Sequence, residues 1–314
     1  MESSMIRMLN VKTFLILCLL IIHVQLAFGQ QNDKPLPEPP NCVKLHDNLF
    51  IDKTEIDNIH WLEYVYYLKR DSSNAAYTAA LPDTTVWLVY KDTAKYETYL
   101  RLRSFRDFPV VGVTHQQAEN YCRWRSQAVT SFSKSEEKRK RMNLQNDQQA
   151  IFTFRLPTEK EWIEAAAGSL DQNTFPYGYV DFMSSSSLSG KPIDLYEKTD
   201  KTQTFKIFKA DLKRFNKGKN EPMFNVIKQF NNYFLYGDNA PRISRDKKSV
   251  ANTLGLFDMI GNVAEFVEEP GFSKGGGWAH YLNAAAINRR QPYSKPEAWL
   301  GFRCVCEVEI KTVK

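Results

Sequence analysis

Residues 255–266 read GLFDMIGNVAEF, and residues 154–162 read FRLPTEKEW. The first stretch places two carboxylates, Asp258 and Glu265, on either side of a Gly261-Asn262 turn. Hard cations bind carboxylate and backbone carbonyl oxygens. The spacing therefore allows a cation cradle as well as a plain turn closed by an acid pair. The second stretch forces the residue before Pro157 into extended backbone. It then opens a helix over 158–168: Thr158 caps it, Glu161 three residues on completes a capping box, and Gly168 stands where the helix should stop. Thr114 and Gln117 form the same pattern at the start of a helix over 114–126. The run Gly275-Gly276-Gly277 permits positive φ or close backbone approach.

Working outward, residues 43–54 combine β-formers with an Asp47-Asn48 turn and read as a hairpin. Ile59, Leu62 and Tyr66 recur at helical spacing within 56–68. Residues 127–150 and 181–245 read as insertions, the second holding a Ser-rich stretch at 181–191. At 205–219, Phe205, Phe208, Leu212 and Phe215 sit at helical spacing among basic residues, which reads as an amphipathic segment. The composition is that of a globular protein, with 43% hydrophobic and 25% charged residues among 314, and excludes collagen, a rod and wholesale disorder. A formal charge of +6 without a concentrated patch gives no reason to expect a nucleic-acid partner.

Residues 1–29 have the form of a cleaved secretory signal. Arg7 and Lys12 precede an apolar run from Phe14 to Ile22, and Ala27-Phe28-Gly29 supplies the small-x-small cleavage pattern. The expected location is therefore exported: periplasm, cell envelope or extracellular space. No cysteine ends this segment, so it is not an obvious lipoprotein. Residues 30–40, QQNDKPLPEPP, read as a linker, and 41–314 as one domain. Beyond the signal, the cysteines are Cys42, Cys122, Cys304 and Cys306. An even number in an exported chain implies two disulfides, and four cysteines allow three pairings.

Six collinear segments carry a family resemblance. They are FIDKTE at 50–55, the span from Pro109-Val110 to Cys122-Arg123-Trp124, RLPTEKEW at 155–162, GLFDMIGNVAEF at 255–266, KGGGW at 274–278 and LGFRC at 300–304. In this order they resemble the sulfatase-modifying-factor, or formylglycine-generating-enzyme, family. The resemblance implies an α+β fold, a variant of the C-type-lectin fold with little regular structure. It implies a Cys122–Cys304 disulfide, which leaves Cys42–Cys306 as the second pair. It implies a calcium site formed by Asp258, Glu265 and the carbonyls of Gly261 and Val263; the family's second calcium site has no clear counterpart here and would fall in the diverged stretch near 230–250.

Active members of that family oxidise a substrate cysteine with copper held by two cysteines. Carried onto this chain, those positions fall on His280 and Ala285, so copper is not expected. The expectation is a non-catalytic module that binds a protein or peptide partner, with a candidate groove around Trp278, His280, Asn283, Arg289 and Arg290. Exported members of this kind serve gliding motility or secretion, which makes peripheral envelope association an expectation as well. The alternative is an oxidoreductase of the formylglycine-generating type, or one with altered metal chemistry.

Overall fold

The hairpin expected at 43–54 is present. Strands β1 (Cys42–His46) and β2 (Leu49–Asp52) pair antiparallel, and Asp47 makes the turn at φ +37°. The computed structural model describes residues 35–90, 92–178, 192–194, 206–208, 251–280 and 282–313. Chain contacts divide the molecule into 1–36 and 37–314, and every described strand and helix belongs to the second unit. Helix α1 spans Asn58–Asp71. It starts two residues later than the spacing predicts because the Asp57 carboxylate caps it, accepting the His60 N–H. Short helices α2 (Asn74–Ala79) and α3 (Thr93–Thr98) follow.

Helix α4 (His115–Ser133) opens with the expected capping box, both of its bonds formed. It runs seven residues past the expected end, into the stretch that reads as an insertion. The reason is tertiary. The Thr130 and Ser133 hydroxyls donate to the carbonyls of Phe152 and Ala150, on strand β3 (Gln148–Arg155). Between them, helix α5 (Glu136–Arg141) is laced by Lys140–Glu136 and Arg141–Glu137 pairs, both at 2.6 Å. Helix α6 (Glu159–Ala167) carries the second capping box, and Gly168 ends it at φ +58°.

Strands β4 (Pro192–Asp194) and β5 (Lys206–Phe208) form an antiparallel ribbon. The helical spacing expected from 205 is thus not followed at 206–208, where Ile207 and Phe208 suit an extended ladder. The remainder of that segment, the Ser-rich stretch, the second calcium region near 230–250 and the signal segment lie outside the described residues. The chain continues through β6 (Ala264–Phe266), β7 (Phe272–Lys274), β8 (Gln291–Pro292), β9 (Leu300–Gly301) and β10 (Val305–Thr312).

Two four-stranded sheets result. One has the order β1-β2-β10-β3 and is antiparallel throughout. The other runs β8-β7-β6-β9, with β6 and β9 parallel. Mixed helices and short strands make the α+β class expected from the sequence. One core cluster gathers Ile51, Trp162, Leu256, Met259 and Val305, all fully buried. Beneath α1 and α4, Trp61 stacks on Tyr121 at 5.5 Å and meets Phe302 edge-on at 6.1 Å. Among the described residues, no helix is long and apolar enough to cross a membrane.

Candidate functional site

The 258–265 turn meets the start of β10 at a buried ion pair. Asp258, Gly261 and Asn262 all take positive φ, at 55°, 75° and 54°. This coils the backbone tightly and delivers Glu265 into β6, fully buried. Arg303, also fully buried, spans both Glu265 oxygens: its Nε donates at 2.9 and 2.8 Å and its Nη2 at 2.6 Å. Trp162 Nε1 donates to Glu265 Oε2 at 2.7 Å. The other guanidinium N–H groups reach the carbonyls of Asp52 and Phe257 at 3.0 and 2.9 Å. Burial works against the Arg303 charge, but Glu265 outweighs it and holds the guanidinium pKa above its usual value.

Glu55 lies against the same turn and is 1% exposed. Asn262 Nδ2 donates to its Oε1 at 2.8 Å. Burial, and then the charge of Asp258, push this carboxyl well above the usual carboxylate range, while Arg303 pulls it down. Sequence reading misses both Glu55 and Arg303 as members of the site, although each stands inside one of the collinear family motifs.

The calcium set implied by the resemblance fits this geometry only in part. Asp258 and the coiled backbone of the turn are in place. Glu265 is not available as a ligand, because its oxygens already accept four hydrogen bonds from Arg303 and Trp162. Among the described residues, no three His, Cys, Asp or Glu side chains are grouped to hold one metal ion.

The triple glycine uses both freedoms expected of it. Gly275 and Gly276 adopt positive φ, 82° and 60°. A Cβ on Gly277 would lie 2.7 Å from the Trp299 carbonyl oxygen and 2.9 Å from the Ala264 nitrogen. Past this turn, His280 Nδ1 accepts the Gly277 N–H at 3.0 Å, and the ring stands edge-on to Trp299 at 4.3 Å. Burial lowers its pKa to about 4, with the Gly277 bond opposing. Ala285 is fully buried, packed against Gly276. The two positions that correspond to the copper ligands therefore offer one partly committed imidazole and a methyl group. A two-thiolate copper site does not fit them.

The expected groove is not assembled. Trp278 is buried, stacked on Trp87 at 6.0 Å, and its indole N–H donates to the Ala298 carbonyl at 2.9 Å. It is a core residue because Trp87 and Tyr90 cover it. Arg290 is exposed, pairs with Glu159 and lies over the Phe272 ring at 4.2 Å. Glu159 also receives the fully buried Lys274 at 3.1 Å. Arg290 first, and Lys274 after it, hold the Glu159 carboxyl down at about 2, against burial. Arg289 is half-buried. Asn283 falls in a 3-10 turn over Leu282–Ala285, and its side chain lies outside the described part.

A different concavity opens between α1 and α4. It measures about 1120 Å³, and Tyr64, Tyr67, Arg123, Trp124, Gln127 and Phe132 are among its lining residues. Phe132 is 64% exposed.

The four cysteines cluster around a buried Arg125–Asp52 pair at 2.7 Å. Cys122 and Cys304 face each other as thiols, sulfur to sulfur 3.4 Å. Cys42 donates to the Asp52 carboxylate at 3.4 Å. The expected Cys42–Cys306 pair is corrected by the strand order. β1 and β10 are the two opposite neighbours of β2. Two interstrand spacings put these residues about 10 Å apart, beyond the reach of a bridge without backbone movement.

The fold and this site define an α+β domain of short strands and long loops, organised about a buried Glu265–Arg303 pair. Residues 18–308 match the model of the sulfatase-modifying factor enzyme 1-like domain, and the chain belongs to that family. No curated protein matches the sequence. Among solved structures the chain is similar to CarF, at 16% identity over 87% of this chain and 96% of that one, with a TM-score of 0.41. PvdO from Pseudomonas aeruginosa shows 16% identity over 82% and 80%, also with a TM-score of 0.41. Variable protein 1 of Treponema denticola shows 17% identity over 87% and 93%, with a TM-score of 0.37.

Proposed function

We propose that this chain is an exported, non-catalytic member of the family, a module that binds a protein or peptide partner at the cell envelope. Service in a secretion or gliding machinery is part of this reading. One observation carries it: Ala285, at the second copper position, is buried and has no ligand atom. The soft copper(I) ion needs thiolate partners. The chain's described thiols are buried around Asp52 and Arg125, where desolvation raises the pKa of Cys42, Cys304 and Cys306. Raised thiol pKa values disfavour the thiolate form that binds metal. The aromatic concavity between α1 and α4 supports the binding side of the reading, since exposed apolar surface of this kind marks interaction sites. The facing thiols of Cys122 and Cys304 fit a disulfide in an oxidising compartment.

The test is an aerobic assay with copper and a peptide carrying a Cys-x-Pro-x-Arg motif, read by mass spectrometry. The native protein is expected to leave the cysteine intact. Conversion to formylglycine by the native protein refutes the reading. A His280→Cys/Ala285→Cys variant runs beside it, and activity there alone shows that a substrate groove persists and that only the ligands were lost.

A further inference from the structure

The concavity between α1 and α4 is built from one face of each helix. Tyr64 and Tyr67 stand about one turn apart on α1, and Trp124 and Phe132 line it from α4. The Trp124 indole lies 5.3 Å from the Tyr64 ring and 5.8 Å from Tyr67, tilted by 47° and 43°. Rings tilted in this way leave slots between them, where a parallel stack would close the wall. Among the described residues, the Trp124 indole N–H and the Tyr64 and Tyr67 hydroxyls make no hydrogen bond, and none of the three is closed off from solvent. Two acceptors on the rim are already taken. Both Asp71 oxygens accept from Arg70, and Asn120 Oδ1 accepts from Arg123 and Gln116. Arg70 and Arg123 keep further N–H groups. Glu63 stays open as an acid, but the spare polar groups of the groove are mostly donors.

The chain's own proline-rich segment already meets this groove. Pro40 and Asn41 are part of its lining, and Arg125 Nη2 donates to the Pro40 carbonyl at 3.0 Å. Pro37 and Pro39 are buried while Glu38 and Pro40 stay exposed, the alternation of an extended strand laid on a surface. We infer that the open part of the groove, from Tyr64 and Trp124 to Phe132, binds a second segment of this chemistry: a proline-rich stretch of a partner protein in the polyproline II conformation. Such a chain has no internal hydrogen bonds, so its carbonyls are free to accept, and proline brings no N–H that needs an acceptor. It therefore complements aromatic slots edged by unpaired donors, the way aromatic-lined grooves hold proline-rich ligands. Trp124 and Phe132 are separated by about 12 Å of helix, room for about four residues of such a chain. Acidic residues within it meet Arg123. The inference rests on the reading of the chain as a peptide-binding module, and it names the partner's chemistry and the surface that takes it.

The test is calorimetric titration of the purified protein with a synthetic peptide made of two copies of PLPEPP, the sequence at 35–40. A control peptide has every proline replaced by alanine. The protein is expected to bind the first and not the second. Phe132→Ala alters an exposed ring, so it is expected to keep the melting temperature while weakening binding about tenfold. Trp124→Phe keeps an aromatic ring, removes the indole N–H and is expected to weaken binding as well. No uptake of the proline peptide at millimolar concentration, equal binding of the control, or wild-type affinity in either variant overturns the inference. Self-association of the protein that Phe132→Ala abolishes overturns it too, since it seats a second copy in the groove. These outcomes are separate from the formylglycine assay. Conversion there with proline-peptide binding intact refutes the non-catalytic reading alone, and failure to bind the proline peptide without conversion refutes this inference alone.

Discussion

Arg303→Met tests whether the buried Glu265–Arg303 pair is the centre of the site. Methionine keeps much of the stem volume and deletes the guanidinium. Five hydrogen bonds go with it: three to Glu265, at 2.9, 2.8 and 2.6 Å, and two to the carbonyls of Asp52 and Phe257. Glu265 is left fully buried with Trp162 as its remaining donor. Removing one partner of such a pair strands a charge away from water and costs about 3–5 kcal/mol. The expected loss of unfolding free energy at pH 7 is in that range. Urea denaturation in EDTA measures it, with equal m-values required so that the midpoints compare like with like. The double variant Arg303→Met/Glu265→Leu removes both charges and should recover much of the loss, since a buried pair replaced by apolar groups is often close to neutral. A single variant that loses less than about 1 kcal/mol, or a double variant no better than the single, would refute the reasoning.

Three further outcomes follow from the same geometry. His280 has a folded pKa near 4 against 6.5 for the free side chain, so the unfolded chain binds the proton first. Stability therefore falls as pH drops from 6.5 to 4, by about 3 kcal/mol at most, and His280→Gln should flatten that part of the denaturation profile. Glu159 behaves with the opposite sign, its folded value held down at about 2 against 4.5. Its contribution is complete above pH 4.5 and is lost as pH falls towards 2, so Glu159→Gln should lower stability at pH 7 and narrow the gap to wild type in acid. Gly277→Ala must push a methyl against backbone atoms 2.7 and 2.9 Å away. It should cost about 1–3 kcal/mol, read as a lower melting temperature, whereas Gly255→Ala meets no atom within 4 Å and carries only the strain of its positive φ, 79°.

Local chemistry is legible in the sequence because it acts over a few residues. Both capping boxes, the 47–48 turn and the Gly168 stop depend on neighbours no more than four positions apart, and all appear where the residues say. The collinear motifs also reveal the family and its α+β class, because they preserve side chains that meet in the fold. What they do not reveal is which partner each side chain chooses. The end of α4 is hidden because residues 127–133, QAVTSFS, carry no stop signal and no clear period, and β3 supplies the carbonyls for Thr130 and Ser133 only in the fold. Trp278 reads as a groove residue because a large aromatic after a glycine turn looks the same whether Trp87 covers it or not.

The strongest case is the acid trio. Spacing alone sets Asp258 and Glu265 side by side as equals. The fold brings Arg303 across 38 residues to Glu265 and brings Glu55 across 207 residues to Asn262. One carboxylate is thereby neutralised and another is left with a buried oxygen lacking a partner. The sequence by itself determined the short-range geometry and the family. Only the tertiary structure decided which charges are paired, because in a low-dielectric interior that depends on contacts between residues far apart along the chain.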